Sequence, residues 1–276
     1  LNSDKDKTYL VRTSGAEWKT TSVAGGVHRR LIQRLGGEVA RATTVVKFDP
    51  NQSFPEHTHG GGEEFMVLDG HWCDEYGRFP KYTYIRNYIG SKHKPEVEAD
   101  GVRILVRLRQ MAHEHQEPEH TAWDAHPSGG DWVDVAGADA FAPSAGGAAL
   151  AGEPSGKRRC LGAEPDAASG NLRIRRKALF SSPFEEVYAV QLAKRDDDGT
   201  DSLASVSFIA PACGIDIFVV DGALDSALGL HDEESWAQIV AGEHVRFEVK
   251  RSAYLLIKLG HLASPEVSPT GDREKR

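Results

Sequence analysis

His57 and His59 flank Thr58 in the stretch HTHGGGEEFMVLDG, which goes on through three glycines and two glutamates to an apolar run closed by Asp-Gly. In an extended chain alternate side chains share a face, so both imidazoles meet one interior point while Thr58 points away. The glycines at 60 to 62 permit a tight turn, after which Glu63 brings a carboxylate back to that point from the next strand. A fourth donor, His93, follows a glycine turn thirty positions later. Three imidazoles and one carboxylate suit a divalent transition ion: Fe(II), Mn(II), Ni(II), Cu(II) or Zn(II). A six-coordinate ion would keep two positions for substrate or oxygen.

Neighbouring polar residues are read alongside. Spacing to Gly70 and strand alternation favour Glu63 over Glu64 as the ligand, leaving Glu64 outward or behind the ligands. Glu63 and Arg86 are the two candidate catalytic side chains; Arg86 either orients an anionic substrate or pairs with an acid such as Asp74. His71 and Cys73 read as packing or solvent-facing residues, and His113, His115 and His120 in MAHEHQEPEH as part of a solvated connector.

The elements that must position these residues are strands. RATTVVKF, EEFMVLDG, YTYIRNYI, VRILVRLRQM, NLRIRRKALF, EEVYAVQLA, LASVSFIA, IDIFVVDGAL, HVRFEVK and SAYLLIKLGHL are short β-branched or aromatic runs punctuated by Gly, Pro and Asp. Residues 113–170, rich in Ala, Gly and Pro, read as a linker, and the polar tail 264–276 as disordered. EEFMVLDG laid on IDIFVVDG puts Gly70 on Gly222, an offset of 152 that also carries Gly77 onto Gly229, Tyr84 onto Trp236 and Gly90 onto Gly242. A one-residue slip brings LVRLRQ onto LIKLGH. Two copies of one β unit follow, as tandem small barrels over residues 1–112 and 171–263. The same offset carries the four ligands onto Ile209, Pro211, Ile215 and Val245, the first two less firmly, with His244 one residue off the ligand position. One divalent ion per chain, and none in the second barrel, is the expectation.

Composition narrows the function. Lys plus Arg number 33 against 41 for Asp plus Glu, a net charge of −8. That argues against nucleic acid and against an anionic membrane surface as partners. No run approaches a membrane span, and LNSDKDKTYL has no apolar signal core. The three cysteines, 73, 160 and 213, are odd in number and far apart, which fits a reducing compartment; a cytoplasmic location is expected.

H-x-H-x3-E-x6-G with a distal Gly-turn and His resembles the cupin superfamily, the match resting on His57, His59, Glu63, Gly70 and His93. HTHGGGEEFMVLDG and DEYGRFPKYTYIRNYIGSKH together resemble the cupin domain of ChrR-type anti-sigma factors and related acetylacetone and dihydroxyacetophenone dioxygenases. The resemblance covers roughly the first 110 residues well and 171–263 more weakly. It implies an all-β fold of two double-stranded β-helix (jelly-roll) barrels, with a metal at the centre of the first. Three functions are open. The first is a mononuclear Fe(II) dioxygenase cleaving a carbon–carbon bond of a small diketone or hydroxyketone, its dry wall drawn from Phe54, Phe65, Val67, Trp72 and Tyr84. The second is a ChrR-like sensor or binding module, which in the anti-sigma factors is joined to an N-terminal zinc domain; residues 1–50 hold one His, His28, and no Cys. A zinc-dependent hydrolase or isomerase is the third. The expected partners are a small-molecule substrate and a second copy of the chain in a homodimer.

Overall fold

A computed structural model describes residues 1–20, 25–37, 39–111, 120–144, 171–195 and 204–260. They form two antiparallel β units, one around residues 15–128 and the other around 129–264 together with 4–14. The chain opens with β1 (Tyr9–Arg12), which belongs to the second unit. The first unit contains β2 (Lys19–Thr20), β3 (Val27–Gly36), β4 (Ala40–Phe48), β5 (His57–His59), β6 (Glu63–Asp74), β7 (Gly77–Pro80), β8 (Thr83–Asn87), β9 (Ser91–His93), β10 (Glu96–Leu108) and β11 (Thr121–Asp124). Its main sheet runs in the order β11-β8-β6-β10-β4-β3-β2 with β7 on β6, while β5 and β9 pair separately.

The second unit continues with β12 (Val133–Asp134), a 3-10 turn (Gly137–Phe141), β13 (Leu172–Ser181), β14 (Glu186–Lys194), β15 (Ser205–Ile209), β16 (Ile215–Ser226), β17 (Gly229–His231), β18 (Ser235–Ile239) and β19 (His244–Leu259). Its sheet order, β1-β18-β16-β19-β14-β13-β12, repeats the first place for place. The register repeats as well. Glu63 opposes Asn87 and Met66 opposes Tyr84, as Ile215 opposes Ile239 and Phe218 opposes Trp236, all at the offset of 152. Glu63 opposite Leu108 and Ile215 opposite Leu259 show the one-residue slip near the end of each half.

Strand alternation sorts the two faces of β6 and β8. Phe65, Val67 and Ile85 join Val27, Val46, Trp72, Val102, Ile104 and Val106 in one apolar interior. Glu64, Met66, Leu68, Tyr84 and Arg86 face the other way and are also buried. In the second unit Ile215, Ile217, Val219, Phe208 and Val245 lie in one core, where Phe141 stacks on Phe208 with ring centroids 4.1 Å apart. The repeated glycine has a steric cause. Gly70 has φ +70° and Gly222 φ +99°, and a Cβ would stand 2.2 Å from the Gly101 carbonyl oxygen in the first and 2.4 Å from Ala253 Cα in the second.

Several boundaries differ from the sequence expectation. The span read as a linker contributes β11 to the first sheet and β12 with the 3-10 turn to the second, because Trp123 and Phe141 give it apolar residues to bury. Residues 1–112 are likewise not one unit, since β1 pairs with β18. HVRFEVK and SAYLLIKLGHL make the single strand β19, and β3 was not anticipated. Residues 113–119, 145–170 and the tail 264–276 lie outside the described residues. At the two softer ligand-equivalent positions the chain slips by one: Phe208, not Ile209, opposes Val245, and Ile209 is half exposed.

Ile215 is fully buried in the second core, so Ile215→Glu would place a carboxylate among apolar side chains. We expect a cost of several kcal/mol and a fall of roughly 10 °C in the thermal midpoint. An unchanged midpoint in a thermal melt would put this side chain outside the core.

Candidate metal centre

β5 and β9 pair so that His57 lies directly opposite His93, with Thr58 opposite Lys92 and His59 opposite Ser91. Alternation puts His57 and His59 on the same face as His93. The turn after β5 is closed by the Gly62 N–H donating to the His59 carbonyl at 3.0 Å, and it delivers Glu63 as the first residue of β6. Nε2 of His93 lies 2.9 Å from Nε2 of His59 and 3.2 Å from Nε2 of His57. Oε2 of Glu63 lies 3.4 Å from the first of these partners, His59, and 3.7 Å from His93. His93 and Glu63 are buried, His59 half-buried and His57 exposed, so the cluster opens to solvent on the His57 side.

The opposite ring nitrogens show why this cluster fits a cation. Nδ1 of His57 is 3.0 Å from the Pro55 carbonyl, so that nitrogen carries the proton and Nε2 the lone pair. Nδ1 of His93 faces Oδ2 of Asp74 at 3.4 Å, so in the neutral ring the carboxylate favours the proton on that side and the lone pair on Nε2. Two lone pairs about 3 Å apart, with a carboxylate beside them, repel unless a positive charge stands between them. Separations of this size are those of neighbouring ligands on an ion about 2.1 Å from each. The donor set thus fits a divalent transition ion, which His57, His59, His93 and Glu63 would hold.

Asp74 was not singled out as part of the site from the sequence. It follows Trp72 by two residues on β6 and so shares its inward face; Trp72 Nε1 donates to its Oδ2 at 2.9 Å and the Tyr76 N–H to its Oδ1 at 3.0 Å. Burial works against the Asp74 charge, but His93, Trp72 and the Tyr76 N–H outweigh it and hold the carboxyl below its ordinary range. Burial likewise opposes the charged form of His93, yet Asp74 and Glu63 prevail and raise it. Two more polar residues join the same face: Asn87 Nδ2 donates to Glu63 Oε2 at 3.0 Å, and Asn87 Oδ1 accepts from His120 Nδ1 at 2.8 Å. His120 thereby leaves the expected solvated connector; His113 and His115 lie outside the described residues.

Arg86 takes the second of its two expected roles, pairing with an acid rather than reaching a substrate. Even-numbered positions of β8 face away from the histidines, and Arg86 Nη1 donates to Glu64 Oε2 at 2.8 Å in a buried group with Tyr84 and Arg107. Arg86 pairs with Glu64, not Asp74, and Glu64 faces away from the histidines as expected but is buried there. Tyr84 leaves the expected wall for the same reason. Phe65, Val67 and Trp72 line the interior, with Phe54 packed against them, and Trp72 brings its ring centroid within 5.6 Å of that of His93. His71 and Cys73, on the outer face, approach Glu98, and Cys73 and Cys213 are free thiols.

Residues 6–112 match the family described as the ChrR cupin-like domain. The fold is the cupin fold. Among solved structures this chain is similar to a candidate dioxygenase from Nostoc punctiforme, at 14% identity over 92% of this chain and 82% of that one, with a TM-score of 0.58. It is also similar to YlbA from Escherichia coli, at 11% identity over 94% and 93% and a TM-score of 0.55. The pirin YhhW from Escherichia coli, solved in complex with nickel(II), gives 14% identity over 92% and 99% and a TM-score of 0.51. At such identities the likeness is one of fold. No curated protein matches the chain. No helix among the described residues is long and apolar enough to cross a membrane.

Metal titration should saturate near one ion per chain; two would show that the second barrel binds as well. Glu63→Gln is expected to weaken binding at least tenfold and Asp74→Asn by about 10–100-fold, with far-ultraviolet circular dichroism unchanged. Because a proton competes with the ion for His93 Nε2, affinity should fall as pH drops from about 8 to about 5, the fall beginning earlier than for an ordinary imidazole. A flat profile over that range would remove His93 from the ligand set.

Proposed function

We propose that this cupin is a metal-dependent dioxygenase, holding one Fe(II) ion in its first barrel and cleaving a carbon–carbon bond of a small diketone or hydroxyketone. The carrying observation is the convergence of three imidazoles and one carboxylate at a point open to solvent on one side and backed by apolar side chains on the other. When bound, the ion supplies Lewis acidity toward the substrate oxygens and a place to hold O2.

The chain's own residues do the rest. Glu63 brings one negative charge and the histidines none, so a divalent ion retains a net positive charge toward an electron-rich substrate. Asp74 keeps His93 in one tautomer, with Nε2 free to ligate. Phe65, Val67 and Trp72 exclude water beneath the ion, which strengthens every polar contact made there. The exposed edge at His57 is the side from which a small molecule reaches the ion. Similarity to a candidate dioxygenase and to a nickel-bound pirin supports a metal-dependent reading. Partners under this reading are a small-molecule substrate and a second copy of the chain, not nucleic acid or membrane.

The match of residues 6–112 to the ChrR cupin-like domain favours a second reading, a binding or sensing module that uses the same ligands without turnover. Protein purified without added metal and analysed for its elements, then tested for oxygen uptake on a panel of β-diketones and hydroxyketones, separates the two. The proposal expects iron and substrate-dependent uptake that Glu63→Gln reduces at least 100-fold. Zinc with no uptake would overturn it in favour of the sensor, or of a zinc hydrolase or isomerase.

A further inference from the structure

Glu63, Asn87 and His120 stand in one row across three neighbouring strands. Glu63 opposes Asn87 in the β6–β8 ladder, and Thr121 opposes Arg86 in the β8–β11 ladder, so His120, just before β11, is next in line opposite Asn87. The hydrogen bonds follow that row: His120 Nδ1 to Asn87 Oδ1 at 2.8 Å, then Asn87 Nδ2 to Glu63 Oε2 at 3.0 Å. Resting on the metal-centre reading above, we infer that His120 is a positioning residue, which orients the Asn87 amide so that it holds Glu63 Oε2 toward the three imidazoles.

The direction of the row follows from donor and acceptor chemistry. Oε2 is the oxygen that faces His59 and His93, and an ionised carboxylate only accepts, so the amide must present its NH2 to Glu63 and its carbonyl to His120. His120 must then give its Nδ1 proton. Its Nε2 is buried without a hydrogen-bond partner among the described residues, as befits the unprotonated nitrogen of a neutral ring. Burial chiefly, with help from His93, lowers its pKa against the pull of Asp74 and Glu75, which favours that neutral form. A carboxylate oxygen has lone pairs for both the amide and an ion, so the contact aims Glu63 without consuming it as a ligand.

The second barrel supplies an independent comparison. The positions matching Glu63 and Asn87 are Ile215 and Ile239, and β1, in the place of β11, puts Thr8 next in line opposite Ile239. Thr8 Oγ1 there accepts the Val240 N–H at 3.2 Å instead of reaching inward. The polar row is absent from the barrel whose ligand positions are apolar.

His120 also stacks on Tyr76, with ring centroids 4.4 Å apart and planes 2° from parallel, so a packing role must be separated from positioning. His120→Phe keeps the ring and removes the donor; His120→Asn places an amide N–H near the Nδ1 position and removes the ring. In the full chain, Co(II) affinity by chelator competition and the visible Co(II) spectrum are measured for both, with Asn87→Ala and the double variant Asn87→Ala/His120→Phe. Positioning predicts about tenfold weaker binding and an altered spectrum for His120→Phe, substantial recovery in His120→Asn, and no further loss when His120→Phe is added to Asn87→Ala. Wild-type affinity and spectrum in His120→Phe would overturn the inference while leaving the metal centre intact. A wild-type chain that binds no Co(II), Fe(II) or Zn(II) would overturn the metal-centre reading, and this inference with it.

Discussion

Three imidazole nitrogens and a carboxylate oxygen held within a few ångströms of one another make an arrangement that water would dismantle in a flexible chain. Here the backbone forbids that. His57 and His93 face each other across a strand pair, and His59 and Glu63 are joined by a turn with its own hydrogen bond. Asp74 and Pro55 face the far nitrogens of His93 and His57, and Asn87 holds the Glu63 oxygen that faces the imidazoles. The repulsion is therefore retained as affinity for a cation instead of being relaxed by movement.

Comparison of the two barrels shows how little of the scaffold the centre requires. Sheet order, strand register and the crowded glycine are common to both, yet one interior carries ligands and the other is closed by Phe208, Ile215 and Val245. The face away from the interior keeps its chemistry in both copies. Tyr84 donates to Glu64 at 2.7 Å, and at the matching positions Trp236 donates to Asp216 at 2.7 Å. Buried acid–aromatic pairs of this kind fix register, since a slip of one residue would turn each acid into an apolar interior.

The convergence of His57, His59, His93 and Glu63 was legible because residue types able to ligate a metal recur at a constrained spacing, and the repeat because glycine at φ above zero has few substitutes. The face occupied by Arg86 and Tyr84 followed from the same alternation that placed Glu63, but only once Asn87 was known to oppose Glu63. Cross-strand pairing between residues 24 apart is not written in local pattern. His120 lay hidden for a related reason: its polar, proline-containing surroundings read as connector, whereas its place is set by β11 docking on β8. β1 was hidden more deeply still. Nothing local says that Tyr9–Arg12 completes a sheet made from the other end of the chain.

That last strand has a consequence for biosynthesis. Tyr9 pairs with Gln238, and Arg12 meets Asp232 through two side-chain hydrogen bonds, so Arg12 leaves the ribosome 220 residues ahead of its partner. At about 5–20 residues per second the interval is roughly 10–50 s. During it β1 is an unpaired edge segment, open to pairing with a neighbouring nascent chain, while closure over so long a loop slows the final docking. The second barrel thus completes its sheet only once β18 has been made, although β1 is synthesised ahead of every strand of the first barrel.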